Sequence, residues 1–245
     1  MPPAVLTHAE RPELADRVDF DVWPAYNTHG DVLNRYWERL YDDFPEFQFV
    51  LYDEDEDVVL AEGHTIPCTW GGTPDGLPAG IDGMIELGFA LREEGREPNA
   101  LSAMAIEIRP SAQGGGLSRA MLEGMREIGR RHALGALLAP VRPSWKERYP
   151  LTPIERYARW TREDGLPFDP WIRTHVRLGG EILRPEPRSM RISGTVAEWE
   201  AWTEMAFPES GEYVFPQGLA PVAVDREEDL GLYFEPNLWM VHRVE

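Results

Sequence analysis

Leu101-Ser102-Ala103-Met104-Ala105-Ile106-Glu107-Ile108, followed by Arg109-Pro110 and then Ser111-Ala112-Gln113-Gly114-Gly115-Gly116, is the stretch from which the rest of the chain is read. Residues 101–108 are apolar at both parities apart from Ser102 and Glu107, the pattern of a central strand covered on both faces. Beyond the glycines, Leu117, Ala120, Met121, Gly124, Met125 and Ile128 fall at helical spacing. Arg119, Glu123, Arg126, Glu127 and Arg130 take the other side. Arg130, Arg131 and His132 suit the helix C-terminus, and Gly135 can stop it. A strand, a glycine loop and a helix start in that order form an anion cradle. Glycine lets backbone approach a ligand with no Cβ in the way, and the first helical amides point outward without partners. A plain tight connection would need fewer glycines, because each one loses more conformational entropy on ordering than other residues do.

The loop discriminates among phosphate ligands by what it lacks. A nucleotide-hydrolysing P-loop needs lysine and then serine or threonine after its last glycine, whereas Leu117-Ser118-Arg119 follows Gly116. A dinucleotide fold needs a third glycine where Arg119 stands and an acidic residue closing the next strand. That strand, residues 136–141, runs into Arg142-Pro143.

The run Ile108-Arg109-Pro110-Ser111-Ala112-Gln113-Gly114-Gly115-Gly116-Leu117-Ser118 resembles the coenzyme A loop of the GNAT acetyltransferase superfamily. Its signature is a glutamine or arginine, two residues, a glycine, one residue, then glycine or alanine. Gln113 and Gly116 match, and Ser118 replaces the last small residue. The resemblance implies an α+β fold, with a mixed, mostly antiparallel central sheet flanked by helices and a C-terminal elaboration. It implies one domain over residues 1–245, with a core of about 10–190 and an extension of about 190–245. It implies acetyl-CoA as co-substrate, its pyrophosphate held by the amides of Gln113, Gly114, Gly115, Gly116, Leu117 and Ser118. The backbone of Ile106, Glu107 and Ile108 would pair with the pantetheine arm and the acetyl carbonyl.

A second stretch, His175-Val176-Arg177-Leu178-Gly179-Gly180, resembles the family ending in which a tyrosine precedes Leu-Gly-Phe. That tyrosine often protonates the departing thiolate, and His175 stands in its place with an unperturbed pKa near 6.5 suited to proton transfer. Glu107, Ser102 acting through water, and Glu62 or His64 on the preceding strand are candidates for the base that deprotonates the acceptor. Glu107 also suits an ion pair with Arg109. Other readings stand beside this one: a non-catalytic acyl-CoA-binding or regulatory domain, and a serine hydrolase using Ser118 with Asp229 and His242. The hydrolase lacks the second glycine of a nucleophile elbow and the preceding βα units.

With 245 residues, 42% of them hydrophobic, the chain can bury a large core. A formal charge of −19 argues against nucleic acid and favours a small cationic or neutral amine as substrate. The single Cys68 excludes an internal disulfide and a cysteine zinc cluster, fits a reducing cytoplasm and suits a buried filler. No metal site, membrane span or N-terminal leader is expected, and residues around Glu209 to Glu235 are expected to form an elaboration near the substrate side or at a homodimer interface.

Along the chain, helices are predicted over residues 12–26 and from Asp31 to Phe44, where Leu33, Trp37, Leu40 and Phe44 make a stripe. Further helices are predicted over residues 81–94, 154–163 and 169–178, and a capped one follows Thr195. Strands are predicted over 47–52, 58–68, 136–141, 219–224 and 238–244, with the acidic run 53–57 as a solvated hairpin tip. The 81–94 helix reads as an insertion roofing the substrate pocket. Trp70, Trp145, Tyr157 and Trp160 are candidates for its walls.

Overall fold

The computed structural model describes residues 3–244; Met1 and Pro2, part of the segment read for a leader, lie outside the described residues, as does Glu245. In chain order the elements are β1 (Ala4–Thr7), α1 (Leu33–Tyr36), α2 (Arg39–Asp43), β2 (Gln48–Asp53), β3 (Val58–Cys68), α3 (Gly80–Glu93), β4 (Ala100–Ile108) and α4 (Leu117–Arg131). There follow β5 (Ala136–Val141), α5 (Ile154–Tyr157), α6 (Pro170–Arg177), β6 (Glu181–Gly194), α7 (Val196–Thr203), β7 (Gly211–Tyr213), β8 (Val222–Asp225) and β9 (Leu230–Arg243). The strands form one sheet in the order β1-β2-β3-β4-β5-β9-β8-β7, with β6 also paired to β9. Every pairing is antiparallel except β4 with β5. This is the predicted α+β arrangement, with a mixed and mostly antiparallel sheet.

Two irregularities in β4 position the site. Its parallel pairing with β5 consists of Leu101↔Leu137 and Ser102↔Leu138, so the strands part after Ser102 and leave the β5-facing backbone of the following residues unpaired. Against β3 the register jumps from His64↔Ala105 to Thr65↔Ala103, which makes Met104 the extra residue of a β-bulge. A bulge re-aims backbone groups and terminates regular pairing, here beside the point of divergence.

Helix α4 lies over the sheet through Met121, Leu122, Met125 and Ile128, all buried; each contributes about 1.5–3 kcal/mol by leaving water. Gly124 lets it approach closely, since a Cβ there would meet Phe49 at 3.1 Å and Val5 at 3.2 Å. Helix α3 starts at Gly80, whose φ of 67° and missing Cβ let it abut the backbone of Ser189 on β6. The Ile81 amide donates to Ser189 Oγ at 2.9 Å. Cys68 is fully buried, and burial pushes its thiol up to about 12. No helix among the described residues is long and apolar enough to cross a membrane.

Several predicted helices are shorter than their spacing suggests. Residues 12–26 hold two 3-10 turns, Pro12–Arg17 and Ala25–His29, around an irregular strap. Tertiary contacts claim that strap: Arg109 pairs with Asp19 at 2.6 Å and stacks on Phe20. The 31–44 helix breaks into α1 and α2. The 154–163 helix stops at Tyr157, because the chain turns back at Asp164-Gly165, where Gly165 has φ 77° and Arg162 donates to the Leu166 carbonyl.

Candidate active site

The glycine loop leaves β4 and delivers the chain to α4 through a 3-10 turn at Pro110–Ala112. Gly114 and Gly116 both have φ 81°, and a Cβ on either would find nothing within 4 Å. Among the described residues the amides of Gly114, Gly115, Gly116, Leu117 and Ser118 donate to no acceptor. Exposed unpaired amides at the N-terminus of a fifteen-residue helix form a ready site for a diphosphate, so the loop fits the group the resemblance implies. Gln113 differs from its expected role: its backbone N–H donates to the Pro110 carbonyl at 3.3 Å, while its side chain donates to the Ile108 carbonyl at 3.1 Å and braces the turn.

Two cavities open on either face of the parted strands. One, of about 710 Å³, runs from the loop past Ile106 and Ile108 to Val141, Ser144, Trp171 and His175. The other, of about 380 Å³, is lined by Trp37, Glu38, Ile81, Glu107, Glu235 and Asn237, among others. Strand alternation explains the division, since Ile106 and Ile108 face one cavity and Glu107 the other. Trp23, Met104, Ala105, Pro140 and Arg142 line both, so the cavities meet at the bulge.

Glu107 is half-buried and accepts a hydrogen bond from Trp23 Nε1 at 2.8 Å; Arg109 pairs elsewhere, with Asp19. Burial raises the Glu107 pKa above the ordinary carboxylate value, against the lowering effect of the Trp23 hydrogen bond and His64, with Glu62 adding to the rise. Glu62 stands directly across the β3–β4 ladder from it, an arrangement in which like charges repel. At the other wall, Arg142 is ion-paired to the buried Glu235 and donates through Nη2 to Tyr26 Oη and the Gln217 carbonyl, each at 2.9 Å. Tyr233 donates to Glu235 at 2.6 Å. With Glu235 thus neutralised, Glu107 and the exposed Glu38 carry the open negative charge of the smaller cavity.

Ser102 is fully buried where β4 and β5 still pair, and lines neither cavity. His175 lines the larger cavity but is only 1% exposed, with Nδ1 2.9 Å from His242 Nε2. Burial, then the neighbouring His242, hold its pKa well below the usual imidazole value. The expectation of a ring titrating near neutrality is therefore corrected: His175 is a neutral imidazole, whose Nε2 has no partner in the protein. His242 is pushed down too, by burial and by Arg126. Below pH about 6.5 the unfolded chain protonates both rings while the fold resists it, so these histidines favour the folded state above that pH and lose their effect as pH falls. The melting temperature should thus drop on acidification below neutrality, and His242→Gln should flatten that dependence in a thermal-melt series across pH.

The expected aromatic walls are elsewhere. Trp145, Tyr149, Tyr157, Trp160 and Phe168 pack together in a cluster of their own, and Trp70 donates to the Thr73 carbonyl. Trp23 and Trp37 line the smaller cavity instead. Trp37 was legible only as part of a helical stripe, and nothing local marks Trp23, Arg142 or Glu235 as neighbours. The hydrolase reading loses its triad: Asp229 accepts from the Val196 amide and His242 faces His175, while Ser118 begins α4 in the cradle.

No protein-family model matches the sequence. Arginine N-acetyltransferase avaD of Aspergillus versicolor is 30% identical over 281 aligned positions, covering 100% of this chain and 96% of that protein. The chain belongs to the GNAT superfamily. Solved GNAT folds agree: the GphF GNAT-like decarboxylase in complex with isobutyryl-CoA superposes with a TM-score of 0.55 at 14% identity, covering 99% of this chain and 100% of that one. The loading GNATL domain of CurA from Lyngbya majuscula gives 0.52 at 16% identity, covering 84% and 82%. At such identities these two speak for the fold alone. As a GNAT N-acetyltransferase, the protein transfers an acetyl group from acetyl-CoA to an amine.

Proposed function

We propose that the acceptor is a small cationic amine, with arginine as the first candidate, and that Glu107 removes its proton. The observation that carries this reading is the junction at Met104, Ala105, Pro140 and Arg142, where a cavity bearing an anion cradle meets one bearing an uncompensated carboxylate. Glu107 and Glu38 attract a cation, and the faces of Trp23 and Trp37 add to that attraction. The relative named for arginine acetylation supports the same chemistry.

In this reading the amides of Gly114 to Ser118 hold the diphosphate, and β4 backbone from Ile106 to Ile108 pairs with the pantetheine arm. Bulged backbone at Met104 stabilises the charge that develops on the thioester oxygen. His175, being neutral, hydrogen-bonds the departing sulfur through Nε2 and does not act as a strong acid. The lone buried cysteine fits work in a reducing compartment such as the cytoplasm.

The test is thiol release from acetyl-CoA over a panel of amines, with the product identified by mass. L-arginine and other cationic amines should be turned over and L-glutamate should not. Silence across all cationic amines, from a protein that acetyl-CoA still stabilises against heat, would remove the acceptor assignment.

A further inference from the structure

Behind Glu107, on the side away from the acceptor, lies a buried polar chain that the transfer as described leaves idle. Gln48 donates both Nε2 hydrogens, to the Phe44 and Thr65 carbonyls at 3.0 Å each, so its Oε1 is left as an acceptor. His64 Nδ1 lies 3.2 Å from that oxygen and must carry a hydrogen to satisfy it. The tautomer is thereby set, and His64 Nε2, buried without a hydrogen-bond partner, faces Glu62 Oε2 at 3.5 Å. Nε2 and Oε2 thus stand close enough for a proton to pass between them, the imidazole lone pair being free to take one up. The other Glu62 oxygen accepts from Tyr41 Oη at 2.9 Å.

Position makes the pair more than a structural device. Glu62 is the cross-strand partner of Glu107, which brings their Cβ atoms to roughly 5 Å. Beyond Glu62 lies a third cavity of about 10 Å³, lined by His8, Arg11, Tyr41, Gln48 and Glu62 among others. It is about the size of a single water and lies on the opposite side of Glu62 from the acceptor. His8 Nδ1 there is buried with no partner.

We propose that Glu62 and His64 carry the acceptor's proton from Glu107 to solvent through this rear cavity, so that deprotonation proceeds while substrate fills the front. Acetylation of an ammonium forms the C–N bond, breaks the thioester C–S bond and strips two protons. One ends on the coenzyme sulfur, and the other must leave the protein. It passes from the ammonium to the Glu107 carboxylate, then to the neighbouring Glu62–His64 pair, which hands it on towards the rear cavity. Tyr41 from α2, Gln48 from β2, Glu107 from β4, Glu38 and Trp37 between α1 and α2, and His8 and Arg11 after β1 surround the route.

The inference rests on Glu107 as the base, and the test separates the two. Glu62→Gln keeps size and can still accept from Tyr41, but cannot take up a proton. With acetyl-CoA and L-arginine in dilute non-transferring buffer, kcat should fall about tenfold or more with both KM values unchanged. Added imidazole should restore most of it by supplying another proton carrier. His64→Gln, checked for an unchanged far-ultraviolet circular dichroism spectrum, should behave alike. An unaltered kcat in Glu62→Gln, or a loss that imidazole does not touch, overturns the route while leaving the base in place. Full activity in Glu107→Gln would instead remove the base on which the route depends.

Discussion

Gly116→Val should abolish acetyl-CoA binding while leaving the protein folded. Its φ of 81° lies in the left-handed region, where a side chain costs about 1–2 kcal/mol and a β-branched one somewhat more. No protein atom lies within 4 Å of a Cβ built there; in the proposed reading that space is the ligand's. The branched carbons would also hold the Leu117 and Ser118 amides away from a diphosphate seated in the cradle. For the wild type, acetyl-CoA at a hundred times its dissociation constant stabilises by about 2.7 kcal/mol, a rise of roughly 5–10 °C in melting temperature. In Gly116→Val that rise should vanish and the acetyl-CoA KM climb by about a hundredfold or more, since several charge-assisted hydrogen bonds are lost together. A variant that keeps the full thermal shift would show that the diphosphate sits elsewhere.

Replacing Glu107 by glutamine should cost about 10²–10⁴ in kcat/KM for the acceptor and leave acetyl-CoA binding intact. The wild-type rate should fall on the acid side at a pH above that of an ordinary glutamate, because burial raises this pKa and the base works only as the carboxylate. Stability moves the opposite way. A carboxyl that holds its proton more tightly when folded stabilises the fold below its unfolded pKa and loses that effect as pH rises through the folded value. At neutral pH the wild type therefore bears the strain of a half-buried charge opposite Glu62, and Glu107→Gln should melt at the same temperature or higher. Steady-state kinetics across pH, beside thermal melts of both proteins, check this. A slower enzyme that also melts lower would point to a structural role.

How far the sequence is readable follows the range of the interactions. Residues 101–131 could be read because each step there is local: strand pattern, proline turn, positive-φ glycines and amphipathic helix are set by neighbours a few positions apart, and the structure follows them to within a residue. The strap around Trp23 could not. Its side chains answer to Arg109 and Glu107, more than eighty positions away in both cases, and such contacts leave no periodicity. His175 shows the intermediate case. Its place on a helix before Leu178-Gly179 was legible, but its charge state was not, because the partner that helps hold it neutral lies 67 positions on, on the last strand.

Local chemistry alone thus determined an anion cradle between a central strand and a helix, since glycine conformations and orphan amides need nothing from the rest of the chain; the superfamily was legible only as a resemblance of the residues in that loop. Only the tertiary structure decided that Glu107 lines the smaller cavity, that Arg142 is already neutralised by Glu235, and that Ser102 is sealed inside the sheet. Those outcomes depend on where β4 and β5 part and on which distant side chains fill the gap, and burial and pairing of that kind are set by packing across the whole sheet.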